Sequence, residues 1–347
     1  MHDVIPVVAM AAPEESVERN TFSALWLVLW TGFYASGLLS LFSAVIFVWP
    51  SSLDLHGTAT GASANKLYDK TMGITLLEYS NAAYCTSEVI ENDGKNSSRS
   101  TFEWSGDTEG FNQTYAIEEV FYQVHGYIGY HEANQMIVVA FQGTNSLSQA
   151  IVDLEVNPDF MDYPHCSESC WVHSGFYNSV QSVKWDILPE VSRLKKLFPK
   201  YEVWVTGHSL GGAQAVLIAL EMVLEGVVTA PPPGVYTYGA PRVGDRPWAR
   251  LADGLLPGAV RVTHARDIVP HVPFAHAEGY YHHGTEVFED RTGQLHTCQS
   301  YVEDPDCANQ YWPIECNIKD HLDYLGVTMG ECIGPNGEIR SWWHHIF

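Results

Sequence analysis

The segment of this chain best suited to chemistry is Gly207-His208-Ser209-Leu210-Gly211. A serine between two glycines can sit on a sharp turn with its hydroxyl exposed, as a nucleophile requires. A serine hydroxyl is weak alone. It needs a base, and the base needs a carboxylate to orient it. The chain has 16 histidines, so the presence of a base decides nothing and its position must. The N–H of Leu210 would face a developing oxyanion if a helix starts there.

The flanking residues supply that context. Residues 201–206 (YEVWVT) alternate as a strand, and residues 213–223 are apolar and helical. Upstream, residues 66–84 have helical spacing through Leu67, Ile74, Leu77 and Ala82, and residues 91–110 are polar and read as a loop. Residues 120–130 read as a strand, 131–135 as a turn, and 136–141 (MIVVAF) as a buried strand. A long helix is predicted over 174–198, with apolar residues recurring from Phe176 to Leu194 and a kink at Pro189. Residues 235–238 and 260–264 are further short strands. Strands alternating with helices predict an α/β fold: a mostly parallel sheet with helices on both faces.

On such a sheet the carboxylate and then the histidine follow the serine along the chain. Asp267 comes directly after the strand at 260–264, at the carboxyl end where α/β sites form. Asp245, before Arg246-Pro247, is its rival and reads as a helix N-cap. His321 opens a short apolar stretch near the C-terminus, as the last member should. His271, His276, His282, His283 and His296 are alternatives, several of them too close to Asp267.

Six segments resemble, in order, the class 3 (fungal-type) lipases: residues 79–85 (YSNAAYC), 139–144 (VAFQGT), 205–213 (VTGHSLGGA), 238–244 (YGAPRVG), 266–270 (RDIVP) and 320–326 (DHLDYLG). The resemblance spans about residues 67–335. It implies an α/β-hydrolase fold with Ser209 as nucleophile, Asp267 as orienting acid and His321 as base. It places the second oxyanion donor at Thr144, beside Leu210. It also makes the following segment a lid. There Leu147, Ala150, Ile151 and Leu154 fall at i, i+3, i+4 and i+7, an amphipathic turn or two. Many fungal lids carry an aromatic residue where Ala150 stands.

The implied activity is a serine ester hydrolase of the triacylglycerol lipase type. It would cleave tri- or diacylglycerol esters through an acyl-enzyme at a membrane or droplet interface, with no cofactor and no metal. A phospholipase or a feruloyl-type esterase on the same scaffold is the alternative, since a shared fold does not choose a substrate. A catalytically silent lipid-binding membrane protein is the remote one.

Seven cysteines leave one unpaired. Cys166 and Cys170 are close enough to close a small loop, and the resemblance implies such a near-neighbour pair. It also pairs Cys85 with Cys332. Cys298, Cys307 and Cys316 remain; Cys298 with Cys307, leaving Cys316 free, is the pairing chosen, although the sequence does not fix the connectivity among the three. These spacings fit no common zinc pattern.

There are 41 acidic residues against 18 basic ones, a net charge of −23. That disfavours nucleic acid as a partner, and anionic lipid headgroups as well. Residues 21–50 contain no charge and include Trp26, Trp30 and Trp49. A helix of that length exceeds the roughly 30 Å hydrocarbon core. The run is therefore read as a transmembrane anchor, with 1–20 as a tail, 51–64 as a linker and 65–347 as the hydrolase domain. A cleaved signal peptide, giving a secreted protein, is the main alternative, and a buried helix is another. Asn96 and Asn112 open glycosylation sequons if exposed to the lumen. With the cysteines they place the body outside the cytosol.

Overall fold

The computed structural model describes residues 68–93, 104–144, 146–156, 159–166, 169–299, 303–333 and 339–341. The expected tail, anchor and linker lie outside the described residues, as does Asn96. Among the described residues no helix is long and apolar enough to cross a membrane.

Eight strands form one sheet in chain order: β1 (Phe111–Glu119), β2 (Val124–His131), β3 (Met136–Phe141), β4 (Glu202–His208), β5 (Gly234–Tyr238), β6 (Val260–His264), β7 (Thr285–Glu289) and β8 (Leu295–Thr297). β3 to β7 run parallel, and antiparallel pairs flank them. Five helices complete the frame: α1 (Lys70–Asp93), α2 (Leu147–Val156), α3 (Ser174–Leu197), α4 (Leu210–Leu224) and α5 (Arg246–Leu255).

β3 is apolar throughout because both of its faces are covered. Ile137, Val139 and Phe141 join Val203, Val205 and Val235 in a core closed by α3, α4 and α5. Met136, Val138 and Ala140 join Trp204, Tyr236 and Tyr238 in a second core closed by α1. Helices on both faces are thus observed, as the alternation of elements predicts. The stripe from Phe176 to Leu194 on α3 is buried, and α3 runs on through Pro189. Lys184 on α3 bonds Glu221 on α4 at 2.6 Å, pinning the two helices where both side chains are buried. Cys166 is joined to Cys170 and Cys298 to Cys307, while Cys316 is free. Cys85 is also disulfide-bonded. The side chain of Cys332 lies outside those described.

Three expectations need correction. The strand expected over 120–130 starts only at Val124; residues 120–123 form the turn from β1, with Gln123 at φ 53°. An apolar triplet, Val120-Phe121-Tyr122, suggested a strand interior, and only the hydrogen-bond ladder shows it to be a turn. The loop expected from residue 91 begins later, because α1 extends to Asp93. β1, α5, β7 and β8 were not expected at all. α5 holds Pro247 in its first turn and Gly254 near its end, which read as breakers in the sequence.

Four buried histidines and the half-buried His173 set a pH dependence of stability. Burial pushes His173 and His271 down to about 4 and His283 to about 3. Burial also holds His208 and His282 well below the usual histidine range, helped by His321 and by Arg261 respectively. The unfolded chain takes up protons near pH 6.5 that the folded one refuses. Stability from these groups is therefore full above about pH 6.5 and is lost as pH falls toward 4. Asp253, pushed up to about 6 by burial, acts in the opposite direction, as do Glu78 and Asp245, also raised by burial, but the five histidines outnumber them. The urea midpoint is expected to be lower at pH 5 than at pH 7, and an equal or higher midpoint would contradict this account.

Candidate active site

Ser209 stands between the end of β4 and the first residue of α4, at φ 59° and ψ −131°. Few non-glycine residues adopt such a conformation, and it stores about 1–3 kcal/mol of strain. Backbone bonds hold it: Ser209 N–H donates to the Tyr238 carbonyl and Gly212 N–H to the Ser209 carbonyl, both at 2.9 Å. Strand and helix meet so closely that a Cβ on Gly207 would lie 2.2 Å from the Gly211 carbonyl oxygen. Glycine at 207 is therefore a steric requirement of the turn.

Asp267 follows β6 and is buried. Its Oδ2 accepts from His321 Nδ1 at 2.7 Å and from the Tyr324 hydroxyl. Its Oδ1 accepts from Val269 N–H at 2.7 Å. Three donors on one carboxylate fix its orientation. His321 lies on a short 3₁₀ turn, Lys319–Leu322, with no exposed surface. With Nδ1–H given to Asp267, Nε2 is the unprotonated, basic nitrogen. That atom is buried with no hydrogen-bond partner.

A second chain of bonds supports the first. His208, next to the serine, donates from Nε2 to the His321 carbonyl at 2.8 Å, and its ring lies 4.3 Å from the His321 ring. Its Nδ1 accepts from the Tyr84 hydroxyl at 2.7 Å. The Tyr84 oxygen accepts from Gly143 N–H. Buried and neutral, His208 thus links the loop after β3, helix α1, the serine turn and the backbone of His321.

Thr144 and Leu210 line, with Ser209, one cavity of about 330 Å³. Leu210 opens α4, where helix N–H groups lack partners within the helix and the dipole favours negative charge. The Thr144 hydroxyl accepts from Ser146 N–H at 3.2 Å, shaping the loop. α2 covers the cavity: Leu147, Ile151 and Leu154 are buried against it, Ala150 is half-buried, and Val152 faces solvent. Set together, these groups can activate a hydroxyl, accept its proton, and hold an oxyanion beside an apolar chamber.

The rivals are placed elsewhere. Asp245 caps α5, its Oδ1 accepting from Trp248 N–H at 2.9 Å. His282 Nε2 donates to the Pro270 carbonyl, and His296 pairs with Asp290 at the surface. His271 and His283 are buried, and the His276 side chain lies outside those described. The sequence reading missed Tyr84, His208 and Tyr324 as partners of the site. All three lie within the quoted motif segments, so membership of a motif was the available signal.

The sequence model of the family Lipase (class 3) matches residues 138–277. The chain is 36% identical to a lipase of Rhizopus niveus over 211 residues, 60% of this chain and 53% of that one. The chain spans about half the length of the curated relatives it matches. Among solved structures, a lipase from Rhizopus microsporus var. chinensis superposes with a TM-score of 0.64 at 32% identity, over 75% of this chain and 89% of that one. A triacylglycerol lipase described as having a serine protease triad as its catalytic centre superposes with a TM-score of 0.66 at 29% identity, over 75% and 96% of the two chains. The shared fold, the strained serine turn and this extent of identity agree: the chain belongs to the class 3 lipase family.

Proposed function

We propose that this protein is a carboxylic ester hydrolase acting on tri- or diacylglycerols. The observation that carries the proposal is the buried Asp267–His321 pair, with its free Nε2, tied to the serine turn through His208, together with the apolar cavity that Ser209 lines. Ser209 Oγ attacks the ester carbonyl as His321 Nε2 takes its proton. The tetrahedral oxyanion is held by the N–H groups of Leu210 and Thr144. Collapse expels the alcohol, which takes the proton from His321 and leaves an acyl-enzyme. Water then attacks, His321 accepts its proton and hands it to Ser209 Oγ as the bond from Oγ to the acyl carbon breaks, and the free acid departs. Asp267, itself held by Tyr324 and Val269 N–H, keeps His321 in the working tautomer throughout.

The substrate class is argued from the lining: Leu147, Ile151, Leu154 and Phe176 suit an acyl chain. We read α2 as a lid that must move to admit it. Cys85 is assigned to Cys332, because the strand Glu331–Ile333 packs against α1. Asn112 is exposed, so it is open to glycosylation. Residues 21–50 are assigned to a membrane tether, with the catalytic domain luminal or extracellular. Signal cleavage would yield a secreted form instead. Mass measurement of the protein's N-terminus separates the two.

Gly239 provides one test of the constellation. It has φ +56°, and a Cβ there would lie 2.8 Å from both Asp267 Oδ2 and His321 Nδ1. Gly239→Ala is expected to lower kcat on a dissolved ester by about a hundredfold, as displaced catalytic groups do. Unchanged kcat would mean that the pair tolerates displacement.

The proposal as a whole is tested with the full chain in detergent. A triacylglycerol series from short to long chains is assayed beside phosphatidylcholine and a feruloyl ester, with organophosphonate-treated protein as blank. Long-chain glyceride turnover that the inhibitor abolishes supports it. Turnover confined to phospholipid or aryl ester would overturn the substrate class, and no inhibitor-sensitive turnover would overturn the activity.

A further inference from the structure

The turn between β1 and β2 departs from what turns usually carry. Val120 is 88% exposed and Phe121 is 81% exposed, where polar residues are the norm. The next residue, Tyr122, lines the cavity that holds Ser209. The tip is also held in shape. The Glu119 carboxylate accepts from Phe121 N–H at 3.0 Å and from Tyr122 N–H at 2.6 Å. The Phe121 and Tyr122 rings pack edge to face at 4.8 Å. A rigid apolar tip kept in water forgoes the burial energy of two large side chains.

We infer that the Val120-Phe121 tip inserts into the surface of an uncharged or zwitterionic lipid phase, and so seats the mouth of the cavity against its substrate. Two observations select that occupant. The tip is continuous with the cavity through Tyr122, so an acyl chain leaving the lipid meets the site directly. The charge excludes an anionic surface: the chain carries −23, residues 111–135 contain no Lys or Arg, and Glu118 is exposed beside the tip. Insertion serves the ester hydrolase proposed above and rests on that reading for its purpose, yet it is measurable without turnover.

The test uses the full chain in a Cys316→Ser background, labelled with a polarity-sensitive nitrobenzoxadiazole at Phe121→Cys or, as control, at Leu197→Cys. Leu197 is 58% exposed and ends α3, a helix of 24 residues whose first turns line the cavity. It therefore sits about 30 Å or more from the tip's end of that helix. Residues 21–50 are free to bring the chain to vesicles, so the comparison of the two positions, not bulk binding, reads orientation. With phosphatidylcholine vesicles the label at 121 is expected to shift to the blue and brighten several-fold, while the label at 197 stays as in water. No shift at 121, or equal shifts at both positions, would overturn the inference. A larger shift on phosphatidylglycerol vesicles would overturn the choice of an uncharged surface. A shift without vesicles that grows with protein concentration would assign the tip to a second copy and overturn the lipid reading.

A kinetic arm distinguishes this inference from the activity it serves. Val120→Ser with Phe121→Ser is expected to keep turnover of a dissolved short-chain ester and lose about tenfold or more on emulsified triacylglycerol. Equal loss on both substrates would overturn insertion as the cause. Turnover of neither ester by the unaltered chain would sink the hydrolase reading, and the fluorescence result would still decide insertion.

Discussion

Ser209→Ala is expected to lower kcat on a dissolved ester by about 10⁴–10⁶-fold, the range seen when a triad nucleophile is removed. The chemistry has no other route to the acyl-enzyme, since Ser209 alone stands on the strained strand-to-helix turn and His321 Nε2 is bound to no other hydroxyl among the described residues. The fold does not share the loss. Ser209 makes its backbone bonds to Tyr238 and Gly212, and alanine keeps both. The strain at φ 59° also persists, because alanine has the same Cβ. The urea midpoint is therefore expected to stay put, and Ser209→Gly is expected to raise it. Turnover within tenfold of the unaltered chain, in a folded alanine variant, would remove Ser209 from the mechanism.

Asp267→Asn is expected to cost about 10⁴-fold in kcat with little change in KM, the effect of a wrong histidine tautomer. Asp267 accepts on both oxygens: Oδ1 from Val269 N–H, Oδ2 from His321 and Tyr324. An asparagine that keeps its carbonyl toward Val269 turns its NH₂ toward His321 Nδ1. The ring must then accept at Nδ1 and carry its proton on Nε2, where a base is needed. The Tyr324 hydroxyl, buried and pushed well above the usual tyrosine range by its surroundings, loses its acceptor as well. Nitrogen NMR of the His321 ring would report the tautomer directly. A variant that retains the Nδ1–H form and still loses activity would point to charge, not orientation, as the role of Asp267.

The members of the site differed in how far they could be read along the chain. Ser209, Asp267 and His321 are each announced by a local context: a strand-to-helix turn, a strand end, and the start of a C-terminal apolar stretch. Asp245 was also legible as an N-cap, because capping depends on the next three residues. Tyr84, His208 and Tyr324 were not assigned roles, although their letters lay in the motifs. The bonds that give them roles join residues 124, 113 and 57 apart in sequence. Nothing in spacing or periodicity encodes those distances. The β1–β2 tip was misread for a related reason: an apolar triplet means strand or turn according to the ladder beside it.

By itself, the sequence determined the α/β alternation, the strand-to-helix turn at Ser209 and the apolar face of α2. Each of these follows from short-range rules of sterics and periodicity that act within a few residues. Only the tertiary structure decided which helices close which face of the sheet, that His208 ties the serine turn to His321, and that Phe121 stands in solvent beside the cavity. Those outcomes depend on which distant segments meet when the chain closes on its two cores. That choice is made by packing and hydrogen bonding between elements, where no local pattern reaches.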